Sequence, residues 1–181
     1  MAQPTQVAPY SGAELDKYCS NPKHLLVIET KLGTMKLQLF DKVAPKHVEQ
    51  ITRLAKEKFY DGCTFHRCIS GFMIQGGDPN SKDDDLNNDG IGGAKTNIQA
   101  EFSAVHHARG VASMARAQDP NSASSQFFIC HGDAGFLDKQ YTVWGQLISG
   151  FDVLDKIAAL KHISGDNPGK AAEMTKVTVV E

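Results

Sequence analysis

From Met35 to Leu39 apolar and polar residues alternate strictly, with Met35, Leu37 and Leu39 on one side and Lys36 and Gln38 on the other. A period of two sends the two sets to opposite faces of a strand, one buried and one wet. The apolar run 25–30 lies across Leu32-Gly33 from it, so the two segments, 25–30 and 35–40, predict a hairpin. Then the period changes. Pro45 is preset for a first helical turn, and Val48, Ile51, Leu54 and Ala55 follow at helical spacing between Lys46, Glu49, Arg53, Lys56 and Glu57. A second helix is predicted near 151–160, with Val153, Leu154 and Ile157 facing inward. Short strands are predicted at 63–68, 72–76, 111–115, 126–130 and 142–148, and Val177-Thr178-Val179 forms the last one. Many short strands and two helices point to a mostly β fold, a closed or nearly closed antiparallel barrel with helices capping its ends. Residues 1–22 are polar, carry Pro4, Pro9 and Pro22, and read as an extended arm able to pack on a domain of residues 23–181.

Composition narrows the function classes. A chain of 181 residues suits one domain. With 22% charged residues and a net charge of -2 it lacks the basic excess of a nucleic-acid binder. No apolar run approaches the ~18–20 residues needed to cross a bilayer. Residues 1–21 lack the basic-then-apolar order of a signal peptide. The expected compartment is therefore the cytoplasm, with the periplasm as the alternative if a leader has been removed. Cys19, Cys63, Cys68 and Cys130 are too few and scattered for a disulfide framework. Cys63 and Cys68, five apart, point to opposite faces of one strand, which also defeats a zinc site with His66. Buried thiols and no metal are expected.

One stretch carries most of the chemistry: Phe65-His66-Arg67-Cys68-Ile69-Ser70-Gly71-Phe72-Met73-Ile74-Gln75-Gly76-Gly77-Asp78. It reads as strand, Gly turn, strand, with Arg67 and Gln75 planted among Phe65, Phe72 and Met73. An arginine costs several kcal/mol to desolvate without partners, so this placement needs a purpose. These residues resemble the FHRxxxxFMxQGGD signature of the cyclophilins, the peptidyl-prolyl cis–trans isomerases. Further blocks follow in the family's order. Gly110 to Ala117 resembles GxxSMAxA, Ser125 to Ile129 resembles SQFFI, and Gly90 to Gly93 resembles the GTGG loop. Phe136-Leu137-Asp138 and Val143 to Leu147 are similar to the WLDG and VFGxV elements. The resemblance covers roughly residues 24–180.

It implies an eight-stranded cyclophilin-like barrel and a substrate groove lined by Arg67, Phe72, Met73, Gln75, Gly90, Ala115, Arg116, Ala117, Gln126, Phe128, Phe136, Leu137 and Tyr141. Within it, Phe72, Met73, Phe128 and Leu137 would hold the proline ring. Arg67 would act on the prolyl nitrogen, Gln75 would orient Arg67, and Arg116 would bind through its backbone. Taken singly, each apolar residue reads more readily as ordinary barrel core, and Gln126 could be a satisfied core amide. The implied partners are proline-containing peptides and folding proteins, with the chain acting as a monomer and without a cofactor. The rival reading is a non-catalytic module that uses the same groove to hold a proline loop.

Rotation about an amide needs no acid, base or nucleophile, and none is arranged in order: there is no GxSxG, HExxH or Walker loop. His66 reads as a satisfied structural histidine pointing away from Arg67. Three departures from the family's usual pattern stand out. Phe136 replaces the usual Trp and so lacks an indole donor, which implies weak cyclosporin binding. Tyr141 stands where many members carry His. Both changes suit bacterial-type members, and Trp144 occupies a usual Phe position. The third departure is the acidic loop 83–89. Its Asp85-x-Asn87-x-Asp89-Gly90 matches half of a calcium loop, but the twelfth position is Thr96 rather than Glu, and a solvated loop is expected.

Overall fold

The structure, a computed structural model, describes residues 2–181. Eight strands form one antiparallel sheet: β1 Leu25–Thr30, β2 Gly33–Leu39, β3 Arg67–Ile69, β4 Met73–Gly76, β5 Val111–Met114, β6 Phe127–Cys130, β7 Val143–Ser149 and β8 Met174–Val180. Their spatial order is β3-β4-β6-β5-β7-β2-β1-β8. Three α-helices accompany them among the described residues: α1 Gly12–Leu15, α2 Pro45–Lys56 and α3 Phe151–Ala158. The predicted hairpin forms, tighter than expected, because Thr30 already pairs with Gly33. None of the helices is long and apolar enough to cross a membrane.

Two expectations are corrected. The sheet is an open half-barrel and not a closed barrel, since β3 and β8 end the strand order without pairing along a ladder. Residues 63–66 leave β3 early, and the turn-forming run Gly165-Asp166-Asn167-Pro168-Gly169 cannot extend β8 backward to meet it. Only single contacts bridge the gap between these two edges. Thr64 and Glu173 form an isolated bridge, Phe65 N–H donates to the Ala172 carbonyl, and Cys68 N–H donates to the Asp166 carbonyl at 2.9 Å. The helices number three rather than two, because the arm contains the short α1.

The sheet is buried on both faces. Ile74, Ala112, Phe127, Ile129, Trp144 and Leu147 point inward to meet Val48, Ile51 and Leu54 of α2 and Leu154 and Ile157 of α3. Phe127 lies at the centre of this core, edge-on to Tyr60, Phe65 and Trp144. The alternate residues Met73, Val111, Phe128, Cys130 and Val143 face the other way and form a second cluster with Phe40 and Tyr10. All four cysteines are free and buried. The N-terminus of α2 has no side-chain cap of its own, and the Glu101 carboxylate takes that place by accepting the Lys46 and His47 N–H groups.

The arm packs on the body through Tyr10. Its N–H donates to Gln146 Oε1 at 3.0 Å, its carbonyl accepts from Gln146 Nε2 at 2.9 Å, and its hydroxyl donates to the His106 carbonyl at 2.6 Å. Gln146 is fully buried, so removing it strands both backbone groups of Tyr10. Gln146→Ala is expected to cost about 1–3 kcal/mol in denaturant unfolding and to open residues 2–10 to proteolysis. An unchanged midpoint and an uncut arm would contradict this docking.

Candidate active site

Register brings the predicted residues together. In the β3–β4 hairpin Arg67 stands opposite Gln75, which stands opposite Phe128 on β6, which stands opposite Ser113 on β5. Side chains in such a row share one face of the sheet. It is the outward face, turned away from the core that holds Ile74 and Ile129. Arg67, Phe72, Met73, Gln75, Ala115, Arg116, Phe128, Leu137 and Tyr141 line a cavity of about 180 Å³. Gly90, Ala117 and Gln126 line a second hollow of about 350 Å³, which shares Gln75, Ala115 and Arg116 with the first. Phe136 borders neither. It projects at the rim, 66% exposed, with its ring 5.4 Å from that of Phe72.

The floor is apolar and the walls are held by polar contacts. Met73 and Phe128 are buried, and Tyr141 meets Phe128 edge-on at 5.9 Å. The Arg116 guanidinium is occupied: Nε and Nη2 donate to the Gln140 carbonyl, Nη1 to those of Ala117 and Gln118, and the group lies 4.6 Å over the Tyr141 ring. Arg67 is different. Its side chain is half-exposed, and its charged neighbour is Asp166, with Nε to Oδ2 at 3.9 Å. A half-exposed pair at that distance is weak, so the guanidinium stays available.

The structure does not join Gln75 to Arg67 by a hydrogen bond. Gln75 Nε2 donates instead to Gln126 Oε1 at 3.0 Å, and Gln126 Nε2 donates to the carbonyls of Gly90 and Gly92. The N–H groups of those two glycines go to the buried Asp78. A Cβ on Gly92 would stand 2.2 Å from the Asp78 carboxylate, so only glycine fits this loop. The acidic loop beyond it is exposed, as expected, and its carboxylates cap local turns: Asp85 accepts from the Asn87 backbone and side chain. His66 is buried, but it is not the satisfied histidine expected from the sequence: its Nδ1 makes no hydrogen bond, and burial pushes the imidazole below its usual range.

Sequence reasoning missed the support beneath Phe128. His107, fully buried, stacks on the Phe128 ring at 6.1 Å. Its Nδ1–H donates to Asp138 Oδ1 at 2.8 Å, and its Nε2 lies 2.9 Å from Ser113 Oγ. Burial lowers the His107 imidazole against the pull of Asp138, and the Ser113 hydroxyl beside its Nε2 donates its own proton to the Thr142 carbonyl at 2.9 Å. His106 lies between Asp138 at 2.6 Å and Asp133 at 2.5 Å, and these two bonds raise it. Burial acts to raise Asp138, but the bonds from His106 and from the backbone and ring of His107 outweigh it and hold the carboxyl at about 2. The available signal was the His106-His107 pair upstream of Ser113, which only the fold connects to Asp138.

These shifts carry opposite signs. A lowered carboxyl contributes stability above its unfolded value that is lost as pH falls through about 2. A raised imidazole contributes stability below its unfolded value of about 6.5 that is lost as pH rises through the folded one. Asp138→Asn is therefore expected to lower the melting temperature more at about pH 5.5, where His106 is cationic, than at about pH 9. Equal losses at both would contradict the pairing.

Comparison with known proteins agrees with the geometry. The family model described as cyclophilin type peptidyl-prolyl cis-trans isomerase/CLD matches residues 25–179. A probable peptidyl-prolyl cis-trans isomerase of Brucella suis is 43% identical over 177 residues, covering 93% of this chain and 90% of its own. A peptidyl-prolyl cis-trans isomerase of Arabidopsis thaliana is 39% identical over 154 residues, 85% of this chain and 94% of its own. Among solved structures, a Cryptosporidium parvum cyclophilin type isomerase, crystallised in the presence of the dipeptide Ala-Pro, superposes with a TM-score of 0.78 at 29% identity. That match covers 87% of this chain and 99% of the other. With its fold, its groove and these relatives in agreement, the chain belongs to the cyclophilin-type peptidyl-prolyl cis-trans isomerases.

Proposed function

We propose that this chain performs its family's reaction, rotation about X-Pro peptide bonds, in the cavity beneath Arg67, on proline-containing peptides and folding proteins. The observation that carries this assignment is the single outward face holding Arg67, Gln75 and Phe128 in register, with Met73 and Leu137 beside them. The apolar floor suits a proline ring, and the half-exposed guanidinium stands over it.

The uncatalysed rotation faces a barrier of about 18–20 kcal/mol. In the twisted amide conjugation is lost, and the nitrogen lone pair becomes a hydrogen-bond acceptor. A guanidinium directed at that nitrogen binds the twisted state better than either planar one, and such differential binding accelerates a reaction. Lowering the barrier by about 5–7 kcal/mol gives on the order of 10⁴–10⁵ in rate. No covalent bond forms or breaks. Arg116, its side chain already bonded to three carbonyls, offers the substrate its backbone, as an added strand would use it. Gln75 acts with Gln126 to hold the Gly90–Gly92 loop at the far wall.

Arg67→Ala is expected to lower kcat/KM for an X-Pro peptide by about 10²–10³, read from cis-to-trans relaxation at low temperature, with the fold intact. If the wild type did not speed relaxation, a proline-binding module would replace this reading. Because the arginine stays charged, the rate is expected to be nearly flat between about pH 6 and 9, and a bell-shaped profile would contradict the mechanism. Cyclosporin is expected to bind weakly, since Phe136 offers no N–H donor. Titration giving the affinity of a Trp-bearing relative would refute that.

A further inference from the structure

Outside the cavity, His131 on the turn after β6 makes an unusually complete set of contacts. Its Nδ1 accepts the Gly71 N–H at 2.8 Å. Its proton therefore sits on Nε2, which donates to Asp155 Oδ1 on α3 at 2.8 Å. The His131 N–H donates to the Phe72 carbonyl at 2.9 Å, and the Gly132 N–H reaches the same oxygen at 3.3 Å. Gly132 lies so close that a Cβ there would stand 2.3 Å from the Gly71 carbonyl oxygen. One dipeptide thus grips the tip of the β3–β4 hairpin, where Gly71 has φ +82°. Asp155 is fixed in turn by Arg109 at 2.9 Å and by Gln6 Nε2 at 3.0 Å. Arg109 also donates to the His131 and Thr5 carbonyls at 2.9 and 2.7 Å. Gln6 and Thr5 belong to the arm, outside residues 25–179.

Two groups of the site depend on that tip. β3 has three residues and a single ladder neighbour, so its own hydrogen bonds fix it poorly. Arg67 stands on β3, and Phe72 leaves the tip on the other side. Where the turn sits decides how both face Phe128.

We propose that His131, held by Asp155, is a positioning residue for the isomerase site, clamping the β3–β4 turn so that Arg67 and Phe72 stand correctly across the proline pocket. This rests on the site reading given above. The clamp needs an acceptor at Nδ1 and a donor at Nε2, which neutral histidine alone supplies in one rigid ring.

The test compares His131→Ala, His131→Asn and Arg67→Ala in the full chain, using the X-Pro relaxation assay. His131→Ala removes the acceptor for Gly71 and is expected to lower kcat/KM about tenfold. The loss is expected in both KM and kcat, because Phe72 grips the ring in ground and transition states alike while Arg67 acts on the twisted state only. His131→Asn returns an oxygen near the Nδ1 position and is expected to restore most of the activity. Activity of His131→Ala within about twofold of wild type would overturn the clamp, as would an Asn variant no better than Ala. If His131→Ala does not fold, Asp155→Ala, which frees the ring, takes its place with the same two outcomes. Arg67→Ala separates the readings. Full activity there beside a His131 loss discards the arginine's role and keeps the clamp on Phe72, and the converse pattern discards the clamp alone.

Discussion

Strand register in the segment β3-β4-β6-β5 decides where every reactive group lies. Along these strands the side chains alternate with a period of two, so a slip of one residue would exchange Arg67 for Cys68, Gln75 for Ile74 and Phe128 for Ile129. The inner face would then have to bury a guanidinium and an amide without partners, at a cost of several kcal/mol. The core thereby enforces the site. Phe127, packed edge-on against three aromatic rings, and Ile74 and Ile129 beside it admit one register only.

The other constraints bear on the edges of that face. Asp78 and Gln126 hold the Gly90–Gly92 loop from its N–H and C=O sides, which fixes one wall without using Arg67. His107 supports Phe128 from below, and the Asp138 carboxylate links it to His106 and so to the Tyr10 hydroxyl on the arm. Both walls of the pocket are thus tied to residues remote in sequence, while Arg67 itself is left loosely paired and half-exposed. Fixed walls and a free guanidinium suit a reaction in which the substrate's own nitrogen changes character.

Much of this was legible in the chain. Alternation at 35–39 and the helical spacing from Pro45 announced β2 and α2, and the Phe65–Asp78 stretch announced the hairpin that carries Arg67. Local pattern failed where non-local contacts decide. Residues 63–66 look like strand, but their backbone partners are isolated groups near 172–174, so the barrel stays open. Gln75 looked like a partner for Arg67 because they are neighbours across the hairpin. The amide instead found Gln126, 51 residues away, which no spacing rule reveals. The arm gave only its prolines and polarity, and its anchor depends on Gln146, a residue that reads as ordinary strand.

The outward placement of the pocket has a topological consequence. A cavity inside a barrel would have to be threaded from a chain end, or would take only short peptides. This one lies on the convex side of the sheet, with the exposed Phe136 at its rim. A polypeptide can be laid across it sideways, at any proline along its length, and lifted off the same way. Access is then limited by whether a proline-containing peptide can present a bend of chain to the groove, and not by how long that peptide is.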